Sequence, residues 1–295
     1  ITFKEGGTNF TNSLLVGTDG TGTLNNASGN TGVGTGVFGA LTTGDNNVAV
    51  GLNALDVNTT GSSNTAIGKD ALLSNTTANF NTALGICSQR ATTTGICNTA
   101  AGYLSLGANT TGRFNTALGT LSLLSNTTAD NNTAIGANAL DANTTGACNV
   151  AVGVGALGTN TTAANNAAIG YGALFANTTG ADNTAMGSCA LNKNTTGNDN
   201  TAVGKCAAAC NTTGSSNAVF GYNSFCANTT GANNTAIGEE ALKSNTTAAK
   251  NTAVGSDSLR TNTTGAHNVA VGARAGTANT TGTQNTFVGG DYNGG

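Results

Sequence analysis

The 295-residue chain has no proline, no tryptophan, one methionine and one histidine, and only 8% of its residues are charged. An ordinary globular domain carries roughly a quarter charged residues. Each shortage excludes something. A net charge of -3 gives no basic field for nucleic acid and no polybasic patch for a membrane surface. No apolar run approaches the roughly 20 residues of a membrane span, so no membrane insertion is expected. The single histidine, His267, leaves no Ser-His-Asp set and no histidine metal site to assemble. Low charge does not mean disorder here, because 38% of the residues are hydrophobic, supplied mostly by Ala, Val, Leu and Ile.

What is abundant is glycine, with 44 residues, and it is periodic. The stretch NTAIGEEALKSNTTAAKNTAVG nearly repeats its opening phrase after 17 residues. Counting from its Asn as offset zero, a Gly stands at offset four at Gly17, Gly34, Gly51, Gly68 and every 17 residues onward to Gly289, without insertion. The consensus is N-T-A-(I/V)-G-x-x-A-L-x-x-N-T-T-G-x-x. A fixed period marks a repeat architecture. Seventeen residues are too few for a helical pair, and the Gly, Thr and Asn content disfavours helix. The sequence predicts an all-β fold, a parallel β-solenoid (β-roll or β-helix) with 17 residues per turn and about 17 turns. Residues 1–12 form a leading or cap segment and residues 13–295 one solenoid. Stacked at about 4.8 Å, the turns make a rod roughly 80 Å long.

The columns have separate jobs. Offset three holds large apolar residues such as Ile67, Ile135 and Met186, and offset eight is most often Leu, as at Leu72 and Leu140. Both are expected to bury a thin core with the Ala columns beside them, so that Asp at Ile135 or Leu140 destabilises far more than Ala at Asp141. Because neighbours in a strand face opposite sides, a second arrangement stays open, with Ala inward and the large residues outward against another chain. Asn recurs at offsets zero and eleven, where stacked amides can form ladders. From the first turn onward, charged residues fall at offsets five, six, nine, ten, fifteen and sixteen, the solvated corners.

Few residues suggest chemistry. Glu239 and Glu240 are adjacent but stand at a polar corner, and His267 is at another. Gly34 to Gly39 matches G-x-G-x-x-G without the helix that a dinucleotide fingerprint needs. No catalytic, cofactor or metal residue is assigned, and an enzyme is not expected. Seven Cys show no C-x-x-C spacing. Cys189 and Cys206 share offset six on adjacent turns, and Cys210 and Cys226 stand at offsets ten and nine on adjacent turns. Stacking places each pair about 5 to 6 Å apart at Cα, within disulfide reach, which would favour an oxidising location. The alternative is unpaired small residues at corners. Recurrent N-T-T makes Asn58, Asn143, Asn177, Asn194, Asn211, Asn228, Asn262 and Asn279 formal glycosylation candidates. Glycans at about 4.8 Å spacing would be crowded, and a laddered Asn inaccessible.

The phrases NTAIGKDAL and NTAIGEEAL resemble the N-S-x-A-I-G-x-x-S/A repeats of YadA-type trimeric autotransporter adhesin heads. They also resemble NTAIG-AL-NTTG repeats of phage and bacterial tail-fibre-like proteins, over about residues 13 to 295. That resemblance implies a left-handed parallel β-roll with three chains side by side. The expected function is a non-catalytic structural protein of an extracellular fibre, spike or appendage, at a cell surface or on a virion. Expected partners are copies of itself, as a homotrimer or an end-to-end filament, and host-surface or matrix glycans. Open solenoid ends recruit partners unless capped, so Ile1, Phe3 and Phe10 are the candidate assembly residues. The alternative function is ice binding through a flat Thr/Asn face.

Overall fold

In the computed structural model, which describes residues 2–7, 10–17 and 24–290, the chain is all-β and winds as a β-solenoid of 17-residue turns, with no helix among the described residues. It divides into two compact units, Ile1–Cys148 and Asn149–Gly295.

In the first unit β1 (Thr2–Gly7) folds back antiparallel on β2 (Phe10–Gly17), and β2 pairs in parallel with β3 (Ala27–Ser28) and β4 (Thr31–Val33). The parallel ladder continues through β5 (Val48–Val50), β6 (Thr65–Ile67), β7 (Thr82–Leu84), β8 (Thr99–Ala101), β9 (Thr116–Leu118) and β10 (Thr133–Ile135). The second unit holds β11 (Val150–Val152), β12 (Ala167–Ile169), β13 (Thr184–Met186), β14 (Thr201–Val203), β15 (Ala218–Phe220), β16 (Thr235–Ile237), β17 (Thr252–Val254), β18 (Val269–Val271) and β19 (Thr286–Val288), again paired in parallel. The strands from β4 to β19 are sixteen, one per turn, and the turn expected at Gly17 is the end of the hairpin strand β2.

From β4 onward each strand occupies offsets one to three and alternates as an extended chain must. Its middle residue, most often Ala, points inward, and its first and third residues point out. Ala66 is fully buried while Ile67 is 42% exposed. The large apolar column at offset three is therefore outside, which corrects the expectation that Ile135 lies in the core. The column at offset eight is inside: Leu72 and Leu140 are both fully buried, as is the Ala that precedes each. Two successive residues can face inward because the chain there is not extended. Offsets six and eight adopt left-handed backbone, with φ of 56° at Asp70 and 49° at Leu72. Each such residue costs on the order of 1–2 kcal/mol. The cost is met by inter-turn bonds at the same residues, Asp70 N–H to the Leu52 carbonyl at 2.8 Å and Leu72 N–H to the Ser88 carbonyl at 3.1 Å. Glycine is required at offset four for two reasons. At Gly68 φ is +135°, and a Cβ would lie 2.5 Å from the Gly85 carbonyl oxygen of the adjacent turn.

The interior has a polar half as well. The Asn64 N–H donates to Asn47 Oδ1 at 2.9 Å, and its Nδ2 donates to the Ala78 carbonyl at 2.8 Å. Asn75 Nδ2 donates to Asn58 Oδ1 at 2.7 Å and to the same Ala78 carbonyl at 3.2 Å. Two Asn ladders thus converge on the carbonyl at offset fourteen, which takes up their buried amide nitrogens. Ser13 starts the first ladder, accepting from the Asn30 N–H at 2.9 Å.

Candidate functional site

No side-chain constellation for catalysis emerges at the positions that sequence reasoning raised. His267 is an exposed corner residue. Gly34 to Gly39 lies in a solenoid turn. Glu240 is an ion-pair centre, with Oε1 2.6 Å from Lys243 Nζ and Oε2 2.8 Å from Arg260 Nη2. The Lys243 hydrogen bond, more than the nearby Arg260 charge, holds its carboxyl below the usual glutamate value against the opposing effect of burial. Arg260 also reaches Asp257 at 3.4 Å. Such partly exposed pairs shape a surface more than they stabilise it.

The repeated surface is the more informative feature, and two columns dominate it. The first is the outward face of the strands, where Thr at offset one flanks the apolar residue at offset three. In the second unit the large residues run Val152, Ile169, Met186, Val203, Phe220, Ile237, Val254, Val271 and Val288, one in each successive strand. Ile169, Met186, Phe220 and Ile237 are each about two-fifths exposed. A charge-free apolar stripe of this regularity is a feature that monomeric soluble surfaces seldom carry.

The second column is threonine. Offsets twelve and thirteen are Thr-Thr in every turn from Thr42-Thr43 to Thr280-Thr281. The first of each pair is tied down: Thr59 Oγ1 donates to the Thr76 carbonyl at 3.0 Å, and Thr110 Oγ1 to that of Thr127 at 3.0 Å. The second, as at Thr60, Thr77 and Thr111, is exposed. The sequence held this signal in full, but strand alternation alone could not say which of the two Thr faces water.

The glycosylation candidates Asn58, Asn143, Asn177, Asn194, Asn211, Asn228 and Asn262 are all buried inside the ladder, and Asn279 is partly buried. The nitrogen a glycan would need is already engaged, as in Asn177, whose Nδ2 donates to Asn160 Oδ1 at 2.9 Å and to the Gly180 carbonyl at 2.8 Å. Of the assembly candidates, Ile1 lies outside the described residues, as does the side chain of Phe3. Phe10 is only 1% exposed and packs in the first unit's own core with Phe38 and Leu41, so its ring is not a surface for a partner.

The seven cysteines are thiols, not disulfides. Cys210 and Cys226 are nevertheless brought together, the Cys210 N–H donating to the Cys226 carbonyl at 3.1 Å. Cys206 stands 20 residues before Cys226, the relation that brings Glu240 Oε2 to Arg260 Nη2, a neighbour that pairing by adjacent columns had not included. No protein-family model and no curated protein matches the chain.

Proposed function

We propose that the protein is a non-catalytic structural component of an extracellular fibre, spike or appendage, built by side-by-side packing of copies of itself. The observation that carries this reading is the outward apolar stripe. In the second unit it spans nine strands, about 40 Å at the rise of stacked strands. Desolvating it requires a partner with apolar groups at the same rise, and a second copy of this chain has them by construction. The resemblance of NTAIGKDAL to adhesin-head and tail-fibre repeats supports the same reading. Exposed Tyr103, Tyr171 and Tyr222 at offset five give such an assembly a surface for host-surface or matrix glycans.

Light scattering and negative-stain images of the full chain test this. Wild type is expected to associate, and the double variant Ile67→Lys, Ile237→Lys, one change in each unit, to remain monomeric with an unchanged β spectrum. A wild-type chain that stays monomeric at high concentration overturns the assembly reading.

The exposed Thr at offset thirteen favours a second reading, ice binding, because it sets uncharged hydroxyl and methyl groups at a constant spacing in every turn of each unit. Thermal hysteresis abolished by Thr77→Lys, Thr111→Lys and Thr230→Lys supports it. No hysteresis in the monomeric chain removes it.

A further inference from the structure

Four of the seven cysteines fall within three consecutive turns of the second unit, residues 183 to 233. Cys210 and Cys226 are backbone neighbours in the stack, joined by the 3.1 Å hydrogen bond from the Cys210 N–H. Neighbouring chains in such a stack hold their Cα atoms about 5 Å apart, inside the range a disulfide spans. Cys206 stands 20 residues before Cys226, at offset six of one turn facing offset nine of the next. The same relation brings Glu240 Oε2 to Arg260 Nη2 at 2.8 Å, and Asn192 Nδ2 to the Gly172 carbonyl at 2.8 Å. Two thiols therefore flank Cys226. All three cysteines are partly buried but not sealed.

We propose that Cys206, Cys210 and Cys226 form a thiol–disulfide exchange site whose reactant is a small disulfide of the glutathione class. Cys210 and Cys226 are the pair that oxidises, and Cys206 is the thiol that can take the place of Cys210. The Cys210 thiol loses its proton and attacks one sulfur of the small disulfide. The S–S bond of the reactant breaks, a thiolate leaves, and it takes up that proton. Cys226 then attacks the Cys210 sulfur of the mixed disulfide, expels the second thiolate, and its own proton ends there. Two protein thiols are oxidised by two electrons, and one small disulfide is reduced to two thiols. Burial, with a smaller contribution from the flanking Cys210 and Cys206, pushes the Cys226 thiol up, which suits it to resolve the mixed disulfide and not to begin the attack. The new bond staples two successive turns and closes a short loop in the unfolded chain, so it raises stability.

The test uses the full chain incubated with oxidised glutathione, quenched, unfolded, alkylated and digested. Lys205 and Lys243 put all three cysteines in one tryptic peptide, so a second cut at Phe220 or Tyr222 separates Cys226, and fragmentation of the linked peptides shows which of Cys206 and Cys210 carries the bond. The expected result is the loss of two alkylatable thiols, a Cys210–Cys226 link, and a melting midpoint raised by several degrees. In Cys210→Ser the link is expected to shift to Cys206–Cys226, and in Cys226→Ser Cys210 is expected to keep an alkylatable thiol. Seven alkylatable thiols after oxidation, or a Cys226 linked indiscriminately to remote Cys97 and Cys148, overturns the proposal. Each measurement reads the monomer and the associated form alike, so failure here is distinct from failure of the assembly reading.

Discussion

Two turns of the first unit, two repeats apart, follow the rule and break it. In residues 115–131 the buried Asn126 is fully used. Its Nδ2 donates to Asn109 Oδ1 at 2.9 Å and to the Ala129 carbonyl at 3.1 Å, and its Oδ1 accepts from Asn143 Nδ2 at 3.0 Å. In residues 81–97 the ladder position is Thr92, and the Leu position is Gln89. The buried side-chain oxygens without a partner among the described residues are Asn75 Oδ1, Gln89 Oε1 and Thr92 Oγ1. All three follow from the one irregular turn. Thr92 has no amide to offer Asn75, and Gln89 satisfies only its nitrogen, through the Thr82 and Asn98 carbonyls. The backbone ignores the break: Thr93 N–H still donates to the Thr110 carbonyl at 3.0 Å, and Asn98 N–H to Asn81 Oδ1 at 2.9 Å. A stacked-turn fold keeps such an error local, because each turn bonds only to its neighbours.

The largest effect is expected where a charge enters the regular core. Gln89 shows that offset eight accepts a polar group when carbonyls meet it, whereas a carboxylate at Leu140 meets only apolar walls and carbonyl oxygens. Leu140→Asp should cost about 4 kcal/mol or more, while Ile135→Asp, on the outward stripe, should cost only about 1 kcal/mol. Urea midpoints compare them, and equal shifts would mean that the faces are misassigned.

The ladder itself is the next lever. Asn126→Ala strands Asn109 Oδ1 and takes one of the two acceptors of Asn143 Nδ2, which keeps the Gly146 carbonyl, and should cost about 2–3 kcal/mol. Asn75→Ala removes a residue whose Oδ1 has nothing to lose, and should cost about 1 kcal/mol less. If both cost the same, the orphan oxygens are not orphans in solution.

Repair should work in the opposite direction. The backbone at residue 92 matches its neighbour, since Thr92 N–H donates to Gln89 O at 3.1 Å just as Asn75 N–H donates to Leu72 O at 3.1 Å. An Asn placed there finds its rung prepared. Thr92→Asn should stabilise by about 1 kcal/mol, and Gln89→Leu should add to it by removing the last unpartnered oxygen. A melting midpoint that falls in Thr92→Asn would show that the turn is shaped around Thr.

Much of this was legible beforehand. The uninterrupted 17-residue period fixed the class of fold, the columns of Gly68 and Asn75 announced a bend and a ladder, and Thr92 stands out in its column by eye. The facing of Ile67 against Leu72 was not legible, because alternation holds only over the three extended residues of each strand. The reversal depends on left-handed backbone at Leu72, a conformation that nothing in a leucine advertises. The folding back of β1 on β2 was also hidden, since the leading segment lacks the repeat that made the rest readable. At the cysteines, column counting paired Cys210 with Cys226 and Cys206 with Cys189, and passed over Cys206 with Cys226, a relation that runs diagonally between turns.

The smallest expected effect separates the corner of a regular turn from its core. Asp141, at offset nine beside Leu140, has its carboxyl raised above the ordinary aspartate value by burial, which outweighs hydrogen bonds from its own and the Ala142 backbone and from Asn138. The folded chain therefore holds the Asp141 proton more tightly than the unfolded chain does. Its contribution to stability is fully present below the ordinary aspartate pKa and is lost as pH rises through the raised value. Asp141→Asn keeps the shape and removes the titration. Between wild type and variant, the stability difference should move in the variant's favour as pH climbs through that window and stay flat above it, by much less than the Leu140 effect because the carboxyl is only partly buried. A slope of opposite sign for Asp141→Asn would mean that the hydrogen bonds at this corner outweigh burial.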